Sequence, residues 1–171
     1  IVLGQAPPQV SLTTFAPICE GESINPTATV NDCYEPADAY SWTFTGGAPN
    51  SSIDLIPGAV TYATAGNYSI DFSVTNVCGI TNTSTPITVF EPPVADAGPD
   101  TSACSNISAG IGSTPVVGVA YSWTPSTGLS NASIANPTVS LSNLTAVPVD
   151  YSFVVTASTS ANCFTRDTVI V

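Results

Sequence analysis

The chain of 171 residues has no histidine and no lysine, and Arg166 is its only basic side chain. Set against twelve acids, this gives a formal net charge of -11. Such a surface cannot neutralise phosphates or release their counterions, which excludes nucleic acid as a partner. It also disfavours docking to anionic lipid. With neither His nor Lys there is no ordinary base for a Ser or Cys nucleophile. The acids that lie close in sequence, Glu20 with Glu22 and Asp96 with Asp100, flank turns and read as solvated loop carboxylates rather than a glycosidase pair. The expectation is a protein that is not an enzyme. Lys–Asn isopeptide staples cannot form, and a lone Arg166 predicts resistance to trypsin-like cleavage.

Charged residues make up only 8% of the chain, unlike the Glu/Lys/Arg-filled surface of a helical protein. The abundance of Thr, Ser, Asn, Gly and Pro points instead to strands with hydroxyl-rich outer faces. No apolar run reaches the roughly 20 residues of a membrane span, so no membrane insertion is expected. No basic, apolar, cleavable segment opens the chain.

The most informative stretch is YSIDFSVTNVCG at 68–79. Tyr68, Ile70, Phe72 and Val74 alternate with Ser69, Asp71, Ser73 and Thr75, the period of a strand with one face in a core. A second copy, YSFVVTASTSANC at 151–163, places Tyr151, Phe153, Val155 and Ala157 on one face. The predicted architecture is therefore all-β, two tandem sandwich modules at 6–91 and 92–171. The opening IVLGQAPP resembles the inter-module ITVFEPP, so residues 1–5 are expected to end the last strand of a preceding module. Both ends then read as cuts at module boundaries in a tandem array.

In the first module strands are expected at 10–14, 23–30, 39–45, 53–56, 60–62, 67–76 and 81–90, with turns at Gly46-Gly47, Pro57-Gly58 and Ala65-Gly66-Asn67. The second repeats Cys104, then Trp123, then Tyr151, with Ile134, Val139, Leu141 and Leu144 as expected inward residues of a long turn-rich segment. No helical period is present. Core positions are Trp42, Tyr68, Phe72, Trp123, Tyr151 and Phe153; alternation favours core packing over sugar stacking for both tryptophans.

The cysteines add a spacing of 59 positions, which separates Cys19 from Cys78 and also Cys104 from Cys163. Matched spacing predicts one disulfide per module in these two pairs. Each would contribute roughly 4 kcal/mol by loop closure and implies an oxidising, extracellular setting. Cys33 is left over, read as buried beside Tyr34, with an exposed chain-linking thiol as the alternative. Asp96 and Asp100, with carbonyls of the Pro92–Pro99 junction, are the acids placed to hold calcium there, although no D-x-D-x-D loop is present. No other cofactor is indicated.

YSWTFTGGAP followed by VTYATAGNYSIDFSVTNVCG resembles the PKD-type immunoglobulin-like domain. Trp42, Phe44, Tyr62, Gly66, Tyr68, Ile70, Phe72, Val74 and Asn76 match its W-x-F strand and its Y-x-x-x-G-x-Y-x-V-x-L-x-V-x-N run, with Gly46-Gly47 replacing the usual D-G. In a sandwich of that kind Trp42 would pack against the disulfide. The second module, with ADAGPDTSACSN, YSWTPSTGLSN and CFTRDTVIV, is similar to repeats of large type IX-secreted surface adhesins of Bacteroidetes, gliding-motility adhesins among them. The resemblance implies a spacer or filament segment of a secreted adhesin. Its partners would be neighbouring modules of the same fibre, other copies of the chain, or surface polysaccharide. The alternatives are an accessory polysaccharide-binding module of a secreted hydrolase, or a filament in which Ile1–Leu3 complete a neighbour's sheet.

Overall fold

A computed structural model describes residues 6–32 and 36–171. The expected end strand at 1–5, and Cys33 with Tyr34, lie outside the described residues. The chain separates into two compact units, Ile1–Glu91 and Pro92–Val171, each with its own apolar core. Among the described residues every regular element is a strand.

Unit 1 runs β1 (Gln9–Leu12), β2 (Ile18–Cys19), β3 (Ser23–Ile24), β4 (Ala28–Asn31), β5 (Ala39–Phe44), β6 (Gly47–Ala48), β7 (Ser51–Ser52), β8 (Val60–Tyr62), β9 (Gly66–Asn76) and β10 (Gly79–Phe90). One face is a five-stranded sheet, β2-β10-β9-β5-β7, in which β2 is parallel to β10 and the others are antiparallel. The opposing face is β3-β8-β6 with the separate β1-β4 pair. The long alternating stretch is β9, flanked by β10 and β5. Ile70, Phe72 and Val74 point into the core while Ser69, Asp71, Ser73 and Thr75 stay partly exposed. Burying each of these apolar side chains contributes roughly 1.5–3 kcal/mol.

The expected strand at 23–30 is two strands, because buried Pro26 cannot donate to a ladder. The chain changes partner across it, β3 pairing with β8 and β4 with β1. The expected strand at 53–56 is a loop. Its carbonyl at Asp54 accepts the indole N–H of Trp42 at 2.9 Å, and its amide there is capped by Ser52 Oγ at 3.1 Å. Ile53 and Ile56 are consequently held outward, 79% and 72% exposed.

Unit 2 contains β11 (Ala109–Gly110), β12 (Ala120–Thr124), β13 (Thr138–Val139), β14 (Ser152–Ser158) and β15 (Phe164–Ile170). Its main sheet is β12-β14-β15 and the second layer is the short β11-β13 pair backed by turns. Phe153, Val155 and Ala157 alternate into the core as β9 does, with Trp123, Ile111, Val139 and Val169. The edge of β15 is covered by the segment 93–101, held largely through side chains. Ala95 N–H donates to Thr165 Oγ1, Ala97 N–H to Asp167 Oδ2, and Ile170 N–H to Asp100 Oδ1.

Two hydrogen bonds recur in both units. Thr81 Oγ1 donates to the Pro8 carbonyl and Thr165 Oγ1 to the Pro93 carbonyl. The Trp123 indole donates to Ile134 O at 2.9 Å, as Trp42 does to Asp54.

Candidate functional site

The two units close one end of the sandwich differently. In unit 1, Val60 pairs with Ile24, and Tyr62 follows on the same face. The Tyr62 ring lies 5.4 Å from that of Tyr68, whose hydroxyl donates to Thr64 O at 2.9 Å. Only residues 63–67 separate the two tyrosines, and the end is sealed. Tyr62 is fully buried, and its hydroxyl has no hydrogen-bond partner among the described residues. Burial, then the neighbouring Tyr68, raise its pKa above the ordinary phenol value.

In unit 2, Val139 pairs with Ala109 as Val60 does with Ile24, so Leu141 stands at the place of Tyr62. Residues 142–150 then run to Tyr151, a longer path than 63–67. A smaller side chain and a longer connection leave an open groove of about 640 Å³. Leu141, Tyr151, Ile107, Val149 and Ile170 line it with Asp100, Asp150, Thr101, Ser102 and Cys104. Ile107 is 60% exposed, and Val149 and Ile170 are each 41% exposed.

One wall of the groove is braced with unusual density. Asn143 N–H donates to Ser105 Oγ and Asn143 Nδ2 to Val147 O, while Asn143 Oδ1 accepts both the amide and the hydroxyl of Thr145. The polar groups of 143–147 are thus spent inside the loop, and its apolar ones face out. Leu144 is 94% exposed and Val147 64%. This overturns the expectation that Leu144 points inward; Ile134 is likewise 38% exposed, because its carbonyl is what Trp123 holds. The turn-rich composition of 142–150 was the one sequence signal of this region, and it does not encode which way the apolar side chains face.

A second, shallower hollow of about 450 Å³ lies on the outer face of unit 1's large sheet, among Ser41, Thr43, Asp71, Ser73, Asn82 and Ser84. Asp71 Oδ1 accepts Ser69 Oγ there, and Ser69 also meets Ser84 at 2.9 Å.

The structure corrects both cysteine pairings. Cys19 is in register with Phe90, the last residue of β10, whereas Cys78 precedes its first residue, Gly79. At roughly 3.3 Å per residue that strand holds them some 35 Å apart, far beyond the roughly 7 Å limit between bridged Cα atoms. Cys163 precedes β15, while Cys104 lies in the groove with Ile170 and Val171 at the strand's other end. Cys19 and Cys163 are disulfide-bonded, and Cys104 is an exposed free thiol. Phe72 faces Trp42 in register, with ring centroids 4.3 Å apart. Phe72, Trp123 and Phe153 are buried in the cores, whereas Tyr68, near the start of β9, and Tyr151, just before β14, are half-buried.

The acids considered for chemistry serve the backbone. Glu22 Oε2 accepts Cys19 N–H and Glu20 Oε1 accepts Ala65 N–H. Asp96 Oδ1 accepts Gly98 N–H at 2.9 Å and Asp100 Oδ1 accepts Ile170 N–H at 2.8 Å. Among the described residues no three metal-ligating side chains gather. Asp167, accepting Ala97 N–H and Thr168 N–H, has its carboxyl held below the ordinary value.

No protein family and no curated protein matches the chain by sequence. By structure it is similar to the I-band fragment I67–I69 from titin, at 16% identity and a TM-score of 0.51, over 98% of this chain and 65% of that fragment. It is similar also to extracellular domains 3–5 of Drosophila OTK, at 11% identity and a TM-score of 0.51, over 95% of this chain and 61% of that one. The chain thus spans less than two thirds of these structures. At such identities the likeness is one of fold, and the fold is immunoglobulin-like.

Proposed function

We propose that this chain is a non-enzymatic spacer segment of a large secreted surface adhesin or extracellular filament, its units tandem PKD-like sandwiches of the type IX-secreted, gliding-motility kind. The observation that carries this reading is how the carboxylates are used. Glu20, Glu22, Asp96, Asp100 and Asp167 each hold a backbone N–H, so the acids that could do chemistry serve the frame instead. Immunoglobulin-like folds are typical of structural and adhesion modules, and disulfide-bonded Cys19 and Cys163 fit an oxidising, extracellular setting. Uniform negative charge keeps neighbouring modules from collapsing on one another.

The groove of unit 2 favours one rival, an accessory polysaccharide-binding module of a secreted hydrolase. Imaging of the native, non-reduced assembly separates the two. Similar sandwiches in file on both sides of the chain support the spacer. A particle ending in a catalytic domain overturns it in favour of the accessory module.

A further inference from the structure

Resting on the reading of this chain as one segment among several such units, we propose that Cys104 is a cross-linking site. A disulfide closes it to a cysteine of a third unit of the same kind. Cys19 and Cys104 occupy one position of the fold. The Cys19 carbonyl accepts Glu22 N–H at 3.0 Å, and the Cys104 carbonyl accepts Ile107 N–H at 2.9 Å. Two residues after each cysteine the backbone is left-handed, at Gly21 with φ +81° and at Asn106 with φ +61°. The N–H of that residue then donates across the unit, Gly21 to Tyr62 O at 2.7 Å and Asn106 to Leu141 O at 2.8 Å. Tyr62 and Leu141 are themselves equivalent by register. One turn therefore presents both sulfurs, yet Cys19 is buried and disulfide-bonded whereas Cys104 is an exposed free thiol.

Unit 2 offers Cys104 no partner. Cys163, its only other cysteine, is already disulfide-bonded and precedes β15, while Cys104 lies beside Ile170 at the far end of that strand. Seven strand residues at roughly 3.3 Å each keep the two about 23 Å apart, against a limit of roughly 7 Å between bridged Cα atoms. With Cys104 free, the sulfur bonded to Cys163 also comes from outside unit 2, so disulfides of this fold leave their unit. Cys104 stays free in a chain that holds five cysteines, and its partner accordingly belongs to a third unit. The turn is braced for that contact, since Asn143 N–H donates to Ser105 Oγ at 3.0 Å. Bond formation joins two thiols. Their two protons and two electrons pass to a disulfide-bearing oxidoreductase, which leaves as the dithiol.

The test is mass mapping of the native, non-reduced assembly, with free thiols alkylated first and the chain cleaved after its aromatic residues. The expected product is a Cys104 peptide joined to a cysteine peptide of another such unit, with Cys104 taking up label only after reduction. A denaturing gel without reductant tells the source of that unit. A second chain gives a larger mass that reduction abolishes, and a unit of the same polypeptide leaves the mass unchanged; both support the proposal. Cys104→Ser, at an exposed position, is expected to abolish the joined peptide while the disulfides at Cys19 and Cys163 persist. Label on Cys104 before reduction, in an assembly that does contain further units, overturns the proposal and leaves the spacer reading standing. A particle without further units overturns both. Bonding of Cys104 to Cys33 or Cys78 of its own chain, or to a small thiol, overturns the proposal alone.

Discussion

Unit 1 and unit 2 share the alternating long strand, the pinned tryptophan and the hydroxyl-to-proline bond, yet they are held together by different means. Unit 1 packs an aromatic layer, Tyr40, Trp42, Phe44, Tyr62, Tyr68 and Phe72, between two sheets joined by backbone ladders. Unit 2 has one sheet whose inner face carries Trp123 and Phe153 among aliphatic residues, two very short strands opposite it, and side chains bonded to backbone where unit 1 has strands. Backbone ladders leave little room for a cavity. A layer built from Asn, Asp and Thr caps can be shaped into one, and it is unit 2 that carries the groove.

The largest expected effect tests whether unit 2's irregular layer is as closely fitted as unit 1's sheets. Gly112 has φ +80°, and a Cβ added there would lie 2.0 Å from the Ala135 carbonyl oxygen. Gly112→Ala is expected to destabilise unit 2 by more than about 4 kcal/mol in denaturant unfolding, since backbone cannot yield as a side chain can. Gly118, with φ +82° and open space around it, isolates the conformational part; Gly118→Ala should cost only about 1–2 kcal/mol. Equal losses at the two sites would show that unit 2's second layer is loose.

Next in size, Phe72→Ala and Phe153→Ala should each cost roughly 3–5 kcal/mol. Phe72 should be the costlier, because it also abandons Trp42 at 4.3 Å and Tyr40 at 6.2 Å. A smaller loss at Phe72 than at Phe153 would mean that the aromatic layer adds nothing beyond area.

Acid should separate the units more gently. The Asp167 carboxyl is held low by the Ala97 and Thr168 amides, so its stabilising contribution is complete above the ordinary value of 3.8 and fades as pH falls through the lower folded value. Exchange of the Ala97 amide should speed up across that window, and Asp167→Asn should flatten the response. In unit 1 the counterpart segment pairs by backbone in β1 and β4, and its exchange should not follow.

The smallest effect has the opposite sign. Tyr62→Phe removes a buried hydroxyl without a partner and should stabilise unit 1 by about 1 kcal/mol in thermal or denaturant unfolding. A loss of stability would mean that this hydroxyl does work in the fold.

The strands with one wet and one dry face were legible in the sequence, because a period of two is imposed by burial itself. β9 and β14 kept the phase of Ile70, Phe72, Phe153 and Val155. The 53–56 segment was misread because Ile53 and Ile56 have strand-like apolar character but are fixed outward by a bond from Trp42, a contact no local pattern contains. The cysteine arithmetic failed for another reason. Equal spacing along the chain says nothing of distance in space. Cys19 and Cys78 mark the two ends of β10, as Cys104 and Cys163 mark those of β15. The groove was the least legible feature, since it arises from Leu141 standing where unit 1 has Tyr62 and only a three-dimensional comparison of the units reveals it.

The lone cation has a further, analytical consequence. Arg166 is paired within β15, and no other residue of the chain offers a lysine or arginine bond. A tryptic digest, even of the denatured chain, contains no peptide bounded by two cleavages inside residues 1–171, and amine-directed tags find no lysine to label. A protein of this composition can be abundant and still be nearly invisible to a routine peptide inventory, whereas cleavage at its aromatic residues would disclose it.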